Sequence, residues 1–233
     1  MKFDPPLVHG TLIKRYKRFL ADVRLDDGRE VTAHCPNPGS MRTCAEPGWG
    51  AWLSPSTNPK RKLKWTLEII DADGTPILVN TGRPNTVVRE AVEAGDIPEV
   101  SGYDALRAEV KYGENSRIDL FLTGADRPDC YLEVKNVTMG AEPAVAAFPD
   151  SVSKRAAKHM AELTAQVEAG HRSVVVFLVS RGDARAMRPA EEIDSTYAQA
   201  LRAAVAAGVE VLAYRAVITP TEVTVGERIE VRL

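Results

Sequence analysis

"SRIDLFLTGADRPDCYLEVKN" (residues 116–136) reads as two short strands around a turn. Each strand carries a carboxylate where an apolar residue could sit, Asp119 in the first and Glu133 in the second, and Lys135 follows Glu133 by two. Side chains alternate across a strand, so Tyr131, Glu133 and Lys135 share one face and Arg117, Asp119 and Phe121 share another. A hairpin symmetric about Asp126 sets Asp119 directly opposite Glu133, with Cβ atoms about 4.5–5.5 Å apart. Two acids so close repel unless a positive group lies between them. Mg²⁺ (or Mn²⁺) suits that place, because it takes one or two protein carboxylates and completes its shell with water and phosphate oxygens. Lys135 beside it can orient an attacking water or stabilise developing negative charge. The bland alternative is a wet sheet face on which the acids pair with Arg117 and Lys135. The apolar elements on both sides of the hairpin favour the buried reading.

Those elements follow a layered α/β order. "TVVREAVEAG" (86–95) predicts a short helix ending at Gly95, and "LRAEVKY" supplies a strand before the hairpin. "SVSKRAAKHMAELTAQVEAG" predicts a helix capped by Ser151 or Ser153, with Met160, Leu163 and Val167 as its apolar stripe. "SVVVFLV" (173–179) has the continuous apolar character of a strand buried on both faces. "DSTYAQALRAAVAAG" is a further helix and "VEVLAYRAV" a further strand. Strand–helix–strand crossovers after an antiparallel hairpin imply a mixed sheet flanked by helices.

Residues 1–80 differ. "TLIKRYKRFLADVRL" and "REVTAHC" flank the turn "DDG", and "AWLS", "KWTLEIID" and "PILVN" follow. That gives about five strands and no helix, the pattern of a small barrel or sandwich. "NTGRPN" (80–85) marks a boundary, so residues 1–82 and 83–233 form two domains of an α+β chain. The first 80 residues hold 12 Lys+Arg against 9 Asp+Glu, and the remainder 18 against 23. An anion-binding part joined to a part with another task is consistent with that asymmetry. The formal net charge of −2 excludes a uniformly basic nucleic-acid coat. No apolar run approaches the roughly 18 residues of a membrane span, and the N-terminus lacks the apolar core of a secretory signal. Three cysteines do not make a disulfide framework, so a cytoplasmic protein with free thiols is expected.

The Asp119…Glu133-Val134-Lys135 spacing resembles the PD-(D/E)xK nuclease motif. Over its whole length the chain resembles the sugar fermentation stimulation protein A family. The matching stretches are "PPLVHGTLIKRYKRFLADV", "AHCPNPGSM", "NPKRKLKW", "VNTGRPN", "VREAVEAG", "NSRIDLFL", "YLEVKNVT", "FPDSVSKRAAKH" and "GVEVLAYR". The resemblance implies an N-terminal OB-fold-like barrel and a C-terminal restriction-endonuclease-like domain. It also implies DNA binding with little sequence preference and a link to regulation of sugar (maltose) metabolism. Carried over, Asp119, Glu133 and Lys135 match the nuclease-like catalytic centre, with Asp119 and Glu133 as metal ligands and Glu90 on the preceding helix as a further acid. The family's usual "HCPNTGSM" reads "HCPNPGSM" here, so Pro38 removes a hydroxyl and a backbone donor. Ala157 stands where a glutamine is expected.

Basic clusters extend the picture. "IKRYKRF" supplies Lys14, Arg15, Lys17 and Arg18, and "PKRKLKW" supplies Lys60, Arg61, Lys62 and Lys64. Basic and aromatic residues mixed in this way suit an OB barrel that stacks bases and contacts phosphates, although solvated charge explains either cluster alone. Tyr16 and Phe19 have opposite parity, so a regular strand turns only one of them toward a ligand. Lys154, Arg155, Lys158 and His159 form a basic face at the start of a helix, against its macrodipole. The "HCPNPGSM" turn could offer the Gly39 and Ser40 N–H groups to a phosphate. Zinc at His34, Cys35 and Cys44 lacks a fourth ligand. The expected function is DNA binding around a nuclease-like metal site, and the alternative is an active Mg²⁺-dependent DNA endonuclease cleaving phosphodiester bonds. Sugar or sugar-phosphate binding is a third class with no residue pattern in its favour. The sequence sets no oligomeric state.

Overall fold

The computed structural model describes residues 1–113 and 116–233; Asn115, which opens the "NSRIDLFL" stretch, lies outside them. The first part contains β1 (Val8–Tyr16), β2 (Leu20–Leu25), β3 (Glu30–His34), β4 (Gly50–Pro55), β5 (Trp65–Ala72) and β6 (Thr75–Leu78). They run in the order β3-β2-β1-β4-β5-β6, and a parallel β3–β5 pairing closes β1 to β5 into an OB-like barrel. Inward residues of alternating strands, among them Leu12, Val23, Leu53, Leu67 and Ile70, fill it.

Residues 11–25 do not form the single strand that the pattern predicts. The chain folds back at Lys17 and Arg18, both in the left-handed region (φ 47° and 65°), and the Phe19 N–H donates to the Lys17 carbonyl at 2.7 Å. Hairpin turns that need positive φ normally announce themselves with Asn or Gly. Here no such residue does, so the turn is hidden in the sequence. Tyr16 ends β1 and Phe19 lies in the turn before β2, so strand parity does not relate them.

The second part begins with α1 (Pro84–Ala94), ended by Gly95 at φ 81°. It continues with a 3₁₀ turn (Pro98–Val100), β7 (Ala105–Tyr112), β8 (Ser116–Gly124), β9 (Arg127–Val137), β10 (Met139–Glu142), β11 (Val145–Phe148) and α2 (Lys154–Glu168). Then come β12 (Arg172–Val179), β13 (Ala186–Pro189), α3 (Ser195–Ala206), β14 (Glu210–Ile218), β15 (Val223–Arg228) and β16 (Glu230–Val231). The main sheet runs β15-β14-β12-β9-β8-β7, with β9, β12 and β14 parallel and the other pairings antiparallel. β10, β11, β13 and β16 make a second, smaller sheet that the pattern did not reveal, because its strands have two to four residues and little bulk ("MGAE", "VAAF").

β12 is buried on both faces. Val174, Val176 and Leu178 enter a core with α1 and the barrel residues Ile69 and Leu78. Val175, Phe177 and Val179 enter the core beneath α2 and α3. The helices therefore cover opposite faces, and the barrel joins the α1 side. Ser153 caps α2 by accepting from the Ala156 N–H at 3.2 Å. No helix among the described residues is long and apolar enough to cross a membrane, and Cys35, Cys44 and Cys130 are buried free thiols.

Candidate functional site

β8 and β9 pair through Leu120↔Leu132 and then part. That register points Asp119 at Glu133, and the side chain of Asp119 takes over from the ladder. Its Oδ2 accepts the Val134 N–H at 2.7 Å, and its Oδ1 accepts from Asn85 Nδ2 of α1 at 2.7 Å. Glu133, 3% exposed, accepts through Oε1 from Lys135 Nζ at 2.7 Å and meets His159 Nδ1 of α2 at 2.5 Å. Arg155 Nε lies 3.3 Å from His159 Nε2 on the far side of the ring and donates to it, which leaves Nδ1 to carry the proton toward Glu133. The other oxygen of Glu133, Oε2, is buried without a hydrogen-bond partner.

The two acids ionise differently. Burial, then the neighbouring Glu133 charge, pushes the Asp119 carboxyl up to about 6. Burial also works against the Glu133 carboxylate, but the His159 hydrogen bond and the Lys135 ammonium outweigh it and hold that group below the usual carboxylate range. A carboxyl-resolved NMR titration of the metal-free protein should place the Asp119 midpoint near 6. Asn85→Ala removes a donor that favours the ionised form and should raise that midpoint further. A midpoint near 4, the ordinary Asp value, would contradict the burial of this carboxyl.

The repulsion that first suggested a cation is partly answered by Lys135 and His159, which the carboxylate of Glu133 already contacts. The case for a cation rests instead on the unpartnered Oε2 of Glu133 and on the hard oxygen donors of both acids, which fit Mg²⁺ or Mn²⁺. Among the described residues no three His, Cys, Asp or Glu side chains converge on one point. A cation here would hold two carboxylates and leave the rest of its shell to water and phosphate.

Glu90 is not part of this group. It is exposed and pairs with the amino-terminal ammonium at 2.7 Å. Five residues along a helix turn the side chain by about 140°, so the α1 residue that reaches Asp119 is Asn85 and Glu90 faces away. Asn85 and His159 are the contacts to the acids that the sequence pattern does not place there. His159 sits on the buried stripe with Ala156, Met160 and Leu163, a spacing visible in the sequence, although its basic neighbours drew it to the outer face.

The basic residues divide. Arg15 is committed to structure: its guanidinium donates to the carbonyls of Ser40, Asn37 and Gly39 at 2.9–3.0 Å, so it does not await a phosphate. The anion turn at Gly39 is corrected too. Its N–H donates to Asn37 Oδ1 at 2.9 Å, and a Cβ on Gly39 would collide with the Asp150 carboxylate, which leaves no room for an anion. Lys14 lies over the Tyr16 ring and 3.6 Å from Asp22, while Lys17 and Arg18 project from the turn. Arg61 donates to Thr66 at 3.0 Å, Lys64 donates to the Pro59 carbonyl at 2.8 Å, and Lys60 and Lys62 are exposed. Lys154 is exposed at the first turn of α2, Arg155 is held to His159, and Lys158 lies 3.3 Å from Glu162.

A cleft of about 490 Å³ opens at the seam of the two parts. Arg18, Asn37 and Pro38 line it from the barrel, Lys135 and Asn136 from β9, and Ser151 to Ser153 from the start of α2. The loop of Lys60 to Lys64 does not line it.

Two family descriptions match the chain, "SfsA N-terminal OB domain" over residues 13–79 and "Sugar fermentation stimulation protein RE domain" over residues 82–222. The chain belongs to the sugar fermentation stimulation protein family. Relatives named sugar fermentation stimulation protein homolog include one from Maricaulis maris, 54% identical over 100% of this chain and 99% of that one. Another, from Geobacter sulfurreducens, is 54% identical over 97% of this chain and 96% of its own. The solved structure of the Pyrococcus furiosus family member, in complex with Ca²⁺, superimposes with a TM-score of 0.89 at 24% identity, covering 100% of this chain and 98% of that one. The barrel-plus-mixed-sheet architecture is thus the architecture of the family.

Proposed function

We propose that the protein binds DNA along the seam between barrel and mixed-sheet domain, with little sequence preference and with a divalent cation at Asp119 and Glu133. The observation that carries this reading is the unpartnered, buried Oε2 of Glu133 beside Asp119, with Lys135 reaching from the same strand into the cleft. The Pyrococcus furiosus protein was solved in complex with Ca²⁺, which supports a hard-cation site in the family's fold. The cleft walls come from both domains, which suits a backbone-tracking ligand more than a small sugar. Any influence on sugar metabolism then runs through nucleic acid.

A second reading, cleavage of phosphodiester bonds, is favoured by the geometry of Lys135, 2.7 Å from Glu133 and 12% exposed. The cation would supply Lewis-acid stabilisation of a phosphate, and the residues position it: Asn85 and the Val134 N–H orient Asp119, and His159 orients Glu133.

Labelled single-stranded, duplex and branched DNA, each with Mg²⁺, Mn²⁺ or EDTA, tests both readings. Binding should weaken with salt with a log–log slope of about −0.7 to −0.9 per phosphate contact. Calorimetry should find a divalent site in the wild type and not in Asp119→Asn. Salt-independent binding, or equal cation binding by both proteins, would overturn the assignment.

A further inference from the structure

We infer that the β1–β2 turn is a nucleotide-recognition tip, in which Phe19 stacks on an unpaired base while Lys17 and Arg18 hold the adjoining phosphates. The inference deepens the DNA-binding reading above and rests on it. Phe19 is 44% exposed, one of four large apolar side chains left in solvent among the described residues. Its ring lies 6.5 Å from that of His34 at an interplanar angle of 33°, so the two form one shallow aromatic surface rather than a core contact. Single-stranded nucleic acid is held by such platforms next to positive charge, because every base offers a π-face.

The backbone argues the same way. Lys17 and Arg18 are the only consecutive non-glycine residues at positive φ among the described residues. Gly or Asn would take these φ values at little cost, and neither stands here. Long cationic side chains held in a costly conformation are the kind of outlier that accompanies a binding role.

The tip is also aimed. Arg15, three residues before Arg18, grips the carbonyls of Asn37, Gly39 and Ser40. The same loop is fixed to the other domain, because the Met41 N–H donates to Asp150 Oδ2 at 3.1 Å. The hairpin is thereby set against the seam, and Arg18 lines the cleft that Lys135 lines from the far wall. Val152, 72% exposed, lines the same cleft. Phe19 does not line the cleft itself but directly follows Arg18, which does, so a strand drawn to Lys135 and Arg18 is the one that would offer a base to the ring. An intact duplex keeps its bases stacked and presents no face to the ring. The substrate class is therefore DNA with unpaired nucleotides: single strands, gaps and frayed ends.

The test is fluorescence anisotropy in EDTA with three probes: a single-stranded oligothymidine, a blunt duplex, and that duplex with a one-nucleotide gap. The wild type should prefer the first and third. Phe19→Ala should lose about tenfold on those two with its salt slope unchanged, and should bind the blunt duplex as before. Phe19→Trp should restore the loss. Arg18→Ala should flatten the salt slope by roughly 0.7 on single strands. The unstrained pair Lys17→Asn/Arg18→Gly should raise Tm by about 2–4 °C while weakening binding. A wild type that binds all three probes, with Phe19→Ala unchanged or equally weakened on each, would overturn the tip and leave the DNA-binding reading intact. A wild type that binds none of them would overturn both.

Discussion

Glu68→Ala should cost about 1–3 kcal/mol of folding stability, the scale expected when buried donors lose the acceptor they share. Glu68 is fully buried (0% exposed) on β5. Arg83 grips it with two hydrogen bonds at 2.9 and 2.6 Å, Asn80 donates at 2.7 Å and Ser54 at 2.6 Å. Truncation takes the acceptor from three side chains, Ser54, Asn80 and Arg83, of which Arg83, 37% exposed, can turn to water. The loss reaches beyond β5, because Asn80 and Arg83 belong to the segment that leads into α1, and Arg83 is the residue at its N-terminal boundary. α1 in turn carries Asn85 to Asp119. Chemical denaturation of Glu68→Ala, Arg83→Ala and the double variant isolates the coupling. The double variant should be less destabilised than the two single losses added together, because each removes the same network. A Glu68→Ala loss below about 1 kcal/mol would place this network among the weak surface pairs.

How far the sequence reached depended on whether a feature is local. The hairpin of β8 and β9 was legible because strand alternation and turn position are short-range properties, and they set Asp119 opposite Glu133 and placed Lys135 on the face of Glu133. The parting of the strands at Asp119 was not legible. It arises because a side chain, not a backbone carbonyl, takes the Val134 N–H. Asn85 and His159 arrive from elements 34 and 26 residues away from the acids they contact, and nothing in a strand pattern sets the rotational phase of a distant helix. The same blindness put Glu90 in the site. The β1–β2 turn was missed for the opposite reason: it is local, but it is built from Lys17 and Arg18 against turn preference. Arg15 looked like its basic neighbours in the sequence, and only the fold shows three carbonyls claiming it.

Lys135→Ala and Glu133→Gln should separate chemistry from cation binding, and the structure sets the direction of each. Lys135 donates to Glu133 Oε1, and His159 meets the same oxygen. Removing the ammonium leaves Glu133 with His159 and leaves Asp119 with both of its donors, so the carboxylate pair survives and a divalent cation should still bind. What disappears is a positive group 2.7 Å from the acid and open to the cleft. If the protein cleaves DNA, loss of such a preorganised group should slow cleavage by about 10²–10³. DNA affinity should hardly change, since one phosphate contact among several is lost. Glu133→Gln keeps the volume but removes the charge, and it leaves the Lys135 ammonium without its counter-ion. Cation affinity should then fall together with any cleavage. Calorimetry with Mn²⁺ and single-turnover cleavage on the same two variants give the matrix: cation retained and cleavage lost for Lys135→Ala, both lost for Glu133→Gln. Cleavage that persists in both variants after rigorous purification would mean that the reacting phosphate lies elsewhere. Cation binding that survives Glu133→Gln would move the cation off the unpartnered oxygen on which its placement rests.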